Sequence, residues 1–504
     1  MSIILHITYF CQPKRIFLMR LLLLCRSARI QRQVLLLLIA CMLLAAKPGT
    51  AVSQSAIELS TEALPDFREV LTGHFSDVQY YYVSASGLDD PLHLAADAPF
   101  KVSVECHDGF SPTLTLEHGD GEVDHVRVYV RLFPDAEGTF EGAILHASGE
   151  AEEKSLSVSG SSISDMIPEG YYETATGTGS QLKTQLHQVI SGHSVQSYSQ
   201  LWDHFTVTDA TFDGKVWDIY SHTPCEEPPY VFTFYDDQDT GTGGTEEGDV
   251  YNREHTMPRS WFGGQVNPMH TDLFHIYPVD KWVNARRANY PYGAVDAADW
   301  TSMIGGKLGP NVAGSYSGTA FEPVDEYKGD LARAFLYMVT RYEDRISSWA
   351  YTEYGNAMLD HQAYPGYEPW VIDMLLDWHE NDPVSQKEIL RNQEVYDIQG
   401  NRNPFVDHPE FVEMIWGDTT VHVGNDLQGS SIRIYPNPAV DEVFIESMDE
   451  MLALRVFSAT GALMLDRQPA GTQARLSTGS WPSGVYVLRV YGRAATDSRR
   501  ILVK

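Results

Sequence analysis

The sequence predicts a multidomain chain in which an α+β domain is flanked by two all-β sandwich domains. Three observations carry this reading. Short alternating apolar runs, broken by Gly, Asp, Pro and Ser, fill the region after residue 56. Apolar residues then recur at helical spacing through the middle, which also holds nearly all the tryptophans. From residue 432 onward short alternating runs return. At 504 residues the chain exceeds what a single hydrophobic core serves, so several domains are expected. With 43% hydrophobic and 21% charged residues, the composition is that of a globular protein rather than a disordered one.

Residues 1–51 read as a secretory signal, with its start at Met1 or at Met19, because the stretch before Met19 is unusually long for a charged leader. Val34 to Leu44 is apolar apart from Cys41, follows Arg20, Arg26, Arg29 and Arg32, and precedes the small-x-small sequence Gly49-Thr50-Ala51. The apolar run is too short to span a bilayer comfortably, so no stable membrane insertion is expected after cleavage. Of the five cysteines, Cys11, Cys25 and Cys41 lie in or before the signal. Cys106 and Cys225 fall in different predicted domains and lack metal-ligand spacing. They are expected to be free, half-buried thiols, neither disulfide-bonded nor bound to zinc.

Residues 56–160 form the first sandwich. Tyr80 to Val83, Phe100 to Val104, Leu114 to Leu116, Val126 to Val130 and Leu156 to Val158 are its expected strands. The phrases "VRVYVRLFPDAEGTFEGAILHAS" and "LSVSG" resemble an immunoglobulin-like repeat of the kind found beside secreted bacterial enzymes. No catalytic constellation is present there, and a spacer role is expected. Residues 161–170 are a short linker. The α+β domain spans 171–417, where Leu331, Ala334, Phe335, Met338 and Tyr342, and likewise Val371, Met374, Leu375 and Trp378, fall at helical spacing and read as core.

A polar linker follows over 418–430, and residues 431–504 form the second sandwich, with alternating apolar strands, a Pro-Asn-Pro turn and Gly-containing hairpins. "IRIYPNPAVDEVFIES", "LRVFSATGALML", "LSTGSWPSGVYVLRV" and the basic end "RRILVK" resemble the C-terminal sorting domain of the type IX secretion system of Bacteroidetes-type bacteria. The resemblance implies the type IX machinery as a partner and a secreted or cell-surface location.

The residues that carry chemistry cluster between Tyr251 and Gly293. Phosphodiester cleavage needs an activated water, a cation on the phosphate oxygens and donors that orient the phosphate. His255 supplies a base that is mostly neutral at physiological pH. Glu254 supplies a hard oxygen ligand suited to magnesium or calcium, and Asn284 a neutral carbonyl oxygen from a segment with helical spacing. Arg253, Arg259, Arg286 and Arg287 are candidate phosphate donors. Neighbours in a regular strand face opposite sides, so Glu254 and His255 share a site only if the strand ends or bulges there; Pro258 favours an end.

The net charge of −32 excludes a broadly basic nucleic-acid-binding surface. It does not exclude a local one. Between Tyr251 and Gly293, Arg253, Arg259, Lys281, Arg286 and Arg287 face only Glu254, Asp272 and Asp280, so the site is basic within an acidic protein.

"YNREHTMPRSWF", "TDLFHIYPVDKWVNARRANYPYG" and "WHENDPVSQKEILRNQEVYDIQGNRNPFVDHPEF" resemble the endonuclease I family, whose site is a ββα-metal (His-Me) finger. The resemblance covers residues 171 to 417. It implies an α+β nuclease domain that cuts single- and double-stranded DNA, and often RNA, with little sequence preference. It implies His255 as base and Glu254 with Asn284 on a metal ion, magnesium first with manganese or calcium as alternatives. Arg253 and Arg287 are expected in the catalytic group, and a monomer is expected. Many relatives carry His-Asn where this chain has Phe274-His275, which leaves the trio intact and alters its supporting shell. His275 is expected in that shell rather than on the metal, Asp272 is expected to cap or brace the finger, and Asn289 is a lesser candidate in the Asn-Tyr-Pro turn. Asp407-His408 is expected to be structural, with Asp407 as a helix N-cap. Asp236, Asp237 and Asp239 lack EF-hand spacing and read as a loop. Two rivals are a non-catalytic binder that kept the finger and a small-molecule phosphodiesterase. The intact trio opposes the first, and the lack of a two-ion ligand set opposes the second.

Overall fold

The computed structural model describes residues 55–417 without a break and most of 432–503. The signal expected over 1–51, with its three cysteines, and the linker expected over 418–430 lie outside the described residues.

The first region is built from β1 (Ala56–Leu59), β2 (Glu69–Leu71), β3 (Gln79–Ser86), β4 (Leu92–Ala96), β5 (Phe100–Ser103), β6 (Thr113–Leu116), β7 (Val123–Leu132), β8 (Gly138–Ala147) and β9 (Lys154–Ile163). They form a four-stranded sheet in the order β1-β3-β7-β5 and a five-stranded sheet in the order β2-β9-β8-β4-β6. Strand alternation sets what is buried: in β3, Gln79, Tyr81, Val83 and Ala85 point inward, while Tyr80 and Tyr82 are half-buried. Tyr81, Val83, Val128 and Val130 from one sheet share a core with Leu92, Leu94, Leu156 and Val158 from the other.

The middle region opens with helices α1 (Gly179–Ile190) and α2 (Leu201–Thr208). Strands β10 (Tyr251–His255) and β11 (Ile276–Asp280) follow and run directly into helix α3 (Lys281–Arg287). Next come β12 (Trp300–Thr301), β13 (Lys307–Pro310) and β14 (Thr319–Glu322), then α4 (Lys328–Arg341), α5 (Glu353–Met358), α6 (Pro369–Asn381), α7 (Gln386–Gln399), α8 (Pro404–Asp407) and α9 (Glu410–Trp416).

Helix α4 is the centre of this region. Its expected stripe of Leu331, Ala334, Phe335 and Met338 is buried, but so is every residue from Gly329 to Arg341. A helix buried all round must pair its polar groups. Arg333 does so with both Glu388 carboxylate oxygens, at 2.5 and 2.7 Å. Gly329 lets α4 start against the Asp382 carbonyl, which any Cβ would strike. Helix α7 begins with a full capping box, Ser385 and Glu388 each satisfying the other's backbone N–H. Helix α8 is capped by Asn403, whose side chain accepts from the Phe405 N–H. Asp407 is therefore not the expected N-cap. It sits at the far end of α8 and takes Arg402 Nε at 2.7 Å and the Tyr172 hydroxyl at 2.6 Å, a structural role.

A second expectation is overturned. Cys106 and Cys225 form a disulfide across a sequence separation of 119 residues. They belong to different regions, as expected, but those regions meet: Arg127 Nη1 and the Tyr129 hydroxyl (2.8 Å) both donate to the Cys225 carbonyl, and Arg68 Nη2 donates to the Thr211 carbonyl at 2.7 Å. Separation in sequence and assignment to two domains therefore did not exclude the bridge. Replacing both cysteines with alanine is expected to lower stability against urea by about 2–5 kcal/mol, the range for removal of a native bridge closing a long loop. An unchanged unfolding midpoint would show that the noncovalent junction suffices.

In the tail, β15 (Ile432–Tyr435), β16 (Glu442–Ser447), β17 (Met451–Ser458), β18 (Leu463–Arg467), β19 (Gln473–Ser477), β20 (Gly484–Gly492) and β21 (Thr496–Val503) form two sheets, β15-β16-β19 and β18-β17-β20-β21. Val443 and Ile445 of the first share a core with Leu454, Val456, Leu488 and Ile501 of the second. No helix among the described residues is long and apolar enough to cross a membrane.

Candidate active site

Strands β10 and β11 pair antiparallel from Tyr251 opposite Asp280 to His255 opposite Ile276. The turn from β11 into α3 is fixed by Asp280, whose carboxylate accepts from the Val283 N–H at 2.8 Å and the Gly248 N–H at 2.8 Å. The result is a two-stranded ribbon with a helix laid against it. Two rungs join strand to helix: Asn284 Nδ2 donates to Asn252 Oδ1 at 2.8 Å, and Arg287 Nη1 lies 3.1 Å from Glu254 Oε1. Spacing explains the pairing, because residues two apart share a strand face and residues three apart share a helix face.

Strand β10 ends at His255, the last residue still paired with β11. Arg287 is fully buried; its Nη1 donates to the His255 carbonyl at 3.2 Å and its Nη2 to the Thr256 carbonyl. One guanidinium thus ties the Glu254 carboxylate to the backbone that carries His255. Tyr220 adds a hydroxyl to Glu254 Oε1 at 3.1 Å and a second bond to the Tyr292 hydroxyl at 3.0 Å. Burial pushes the Glu254 carboxyl up to about 7, against the lowering pull of Arg287 and Tyr220.

His255 is 6% exposed, and its Nε2 lies 3.0 Å from the His270 carbonyl. A carbonyl only accepts, so Nε2 carries the proton and Nδ1 keeps a lone pair. Burial holds the imidazole well below its ordinary pKa, helped by His275, Arg259 and His270 and opposed by the bond to the His270 carbonyl. It is a neutral base across the physiological range.

His275 lies behind His255, with ring centroids 5.4 Å apart, and its Nε2 is 2.6 Å from the Met269 carbonyl. Phe274 packs on Tyr337 at 4.7 Å, so an apolar contact occupies that position. Asp272 is buried under both: it caps the turn at Phe274 and accepts from Tyr337 (2.9 Å), Tyr342 (2.7 Å) and Gln399 (3.1 Å). That is a brace.

The four arginines separate. Arg287 is engaged with protein oxygens. Arg253 is clamped between the Tyr198 and Trp202 rings, at 3.6 and 4.2 Å. Arg286 is exposed over Trp282 at 4.4 Å, two residues past Asn284 and so on the opposite side of α3. Arg259 opens a short 3-10 turn, Arg259–Phe262, and makes no ion pair among the described residues. Its charge nevertheless reaches Glu254, His255 and His270, lowering each. The chain leaves α3 through Ala288 at a φ of 51°, strained for a residue with a Cβ, and Asn289 is exposed beyond it.

Asn284 Oδ1 accepts no hydrogen bond among the described residues, and Glu254 has a second carboxylate oxygen beyond the one that takes Tyr220 and Arg287. Two hard oxygens, one charged and one neutral, fit a magnesium-like cation. In the loop after Tyr235, Asp239 instead bonds Lys281 Nζ at 2.8 Å, and Asp237 the Thr233 N–H at 2.7 Å. Among the described residues one other potential ligand group occurs, Cys106, His107 and Cys225, but its sulfurs are bonded to each other.

The matches to known proteins bear on this site. An Endonuclease I model matches residues 178–410. The extracellular ribonuclease of Bacillus amyloliquefaciens is 36% identical over 257 residues, spanning 49% of this chain and 78% of that protein. The chain belongs to the Endonuclease I family. A second extracellular ribonuclease, from Bacillus subtilis (strain 168), is 35% identical over 255 residues and spans the same shares. An extracellular deoxyribonuclease of Aeromonas hydrophila is 26% identical over 178 residues, 31% of this chain and 64% of that one. A secretion system C-terminal sorting domain model matches residues 433–504. This Endonuclease I family member is therefore an endonuclease, and a secreted or cell-surface one. Its site includes residues the sequence did not single out: Asn252, Tyr220, Tyr292 and His270. Tyr292 lay within the quoted family phrase; the His270 contribution is a backbone carbonyl, which no residue identity signals.

Proposed function

We propose that this endonuclease hydrolyses phosphodiester bonds of DNA, and of RNA as well, with little sequence preference and in dependence on a divalent cation, magnesium first. The observation that carries the reading is the orientation of His255: its proton is held by the His270 carbonyl, leaving Nδ1 to take a proton from water. Glu254 and Asn284 would hold the ion. When bound, it supplies charge to the phosphate and leaving oxygens. Arg287 and Tyr220 orient the Glu254 carboxylate, and Arg259, in no ion pair among the described residues, offers a cation for the phosphate. The ββα order of β10, β11 and α3 supports a ββα-metal finger. The ribonuclease names of the two more similar relatives support including RNA among the substrates. Residues 56–160 are proposed as an immunoglobulin-like spacer, and the working unit as a monomer with the boundaries read above.

Digestion of duplex DNA, single-stranded DNA and RNA by the mature protein, with magnesium, manganese or calcium and with EDTA, tests the function. Cleavage of all three substrates that EDTA abolishes is expected; full activity in EDTA would overturn metal dependence. A separate expectation concerns export. Deleting residues 432–504 should leave nuclease activity but retain the protein in the periplasm of its host, as read by assaying medium and periplasmic fractions. Truncated enzyme in the medium would contradict the sorting role.

A further inference from the structure

Five side chains form one cluster at His255, in which the Tyr198 ring lies 6.1 Å from the His255 ring and closer still to His270. The Arg253 guanidinium lies 4.2 Å from the Trp202 ring on α2 and 3.6 Å from the Tyr198 ring. Tyr198 in turn stacks on His270, with centroids 4.4 Å apart and planes 23° from parallel. His270 lies parallel to His255, 5.4 Å away and tilted by 6°. Arg253 Nη1 also donates to the Tyr198 carbonyl at 2.6 Å, so it holds the backbone as well as the ring. The last link is the His270 carbonyl on His255 Nε2, at 3.0 Å.

Both faces of the Tyr198 ring are covered, by Arg253 on one side and His270 on the other, so no face remains for a substrate base. The Arg253 guanidinium, half-buried, lies against two rings and donates to the Tyr198 carbonyl. These groups act on the protein, and the point they act on is the peptide that orients the base.

We propose that Tyr198, held by an Arg253 that Trp202 backs, is a positioning residue for phosphodiester cleavage: it holds His270 where the His270 carbonyl fixes the His255 tautomer and direction. The proposal rests on the assignment of His255 as the base. A misplacement of about 1 Å in such a group costs on the order of a hundredfold in rate, so the signature lies in kcat.

The test is steady-state kinetics of the full mature chain on duplex DNA with magnesium. Tyr198→Ala is expected to lower kcat by about 10- to 100-fold with KM within about twofold, and Tyr198→Phe, which keeps the ring, to restore it. Arg253→Lys keeps the charge but not the planar stack, and is expected to show the same loss in kcat; it also carries the test if Tyr198→Ala fails to fold. In a His255→Ala background, Tyr198→Ala is expected to add nothing, because both act through one group. Raised KM at unchanged kcat would mean that Tyr198 touches substrate and would overturn the proposal. So would an unaltered kcat in Tyr198→Ala, or a further loss in the His255→Ala background. If His255→Ala alone kept its rate, the base assignment itself would fall, a result distinct from the others.

Discussion

Replacing His255 with alanine is expected to lower kcat on duplex DNA by at least about a thousandfold, within the range for loss of a general base that activates water. The ring makes one hydrogen bond, through Nε2 to the His270 carbonyl, and the strand end that carries it is held independently by Arg287 through the backbone oxygens of His255 and Thr256. The variant should therefore fold, and its circular dichroism and melting curve should resemble those of the parent. A variant that retained a tenth of the parent turnover would show that another group activates the water.

The second large effect is expected at Glu254. Glu254→Gln keeps the size and an oxygen acceptor for Tyr220 but removes the charge a cation needs. The rate at fixed magnesium should fall by about a hundredfold or more, by loss of a hard anionic ligand. The same carboxyl sets an expected pH dependence. Burial raises it to about 7, so as pH falls through 7 a proton competes for the oxygen that holds the cation. The acid limb of the pH–rate profile should therefore move to lower pH as magnesium is raised. His255, held well below its ordinary value, contributes no limb near neutrality. An acid limb that ignored the magnesium concentration would assign it to another group. Stability has the opposite sense: a carboxyl raised in the folded state favours folding at low pH and loses that contribution as pH climbs from its unfolded value to about 7. In EDTA at pH 8, Glu254→Gln is accordingly expected to melt no lower than the parent.

The fold was legible where periodicity is strong. Alternation in Gln79 to Ser86 and the helical stripe of Leu331, Ala334, Phe335 and Met338 mark elements the structure contains. Periodicity did not reveal that Arg333 and Arg341 on the same helix are buried, because their partners Glu388 and His193 come from distant elements. The candidate cluster stood out because its residue types stand together in sequence, and Asp272, expected to cap or brace the finger, is buried and accepts from Tyr337, Tyr342 and Gln399. Its supports were not: Tyr220 precedes the cluster in a segment without regular spacing, and the His270 carbonyl belongs to the backbone. Arg287 and Arg253 looked like phosphate donors because arginine type alone does not say whether the guanidinium faces solvent or protein. The Cys106–Cys225 bridge depends on how two regions dock, which local sequence does not encode.

The most direct test of the account is to locate the cation. Crystals of the mature chain soaked in manganese and measured for anomalous scattering should show an ion coordinated by the Glu254 carboxylate and the Asn284 side-chain oxygen, on the side of His255 that presents Nδ1. The peak should vanish in Glu254→Gln. An ion bound elsewhere, with Glu254 still paired only to Arg287 and Tyr220, would contradict the site.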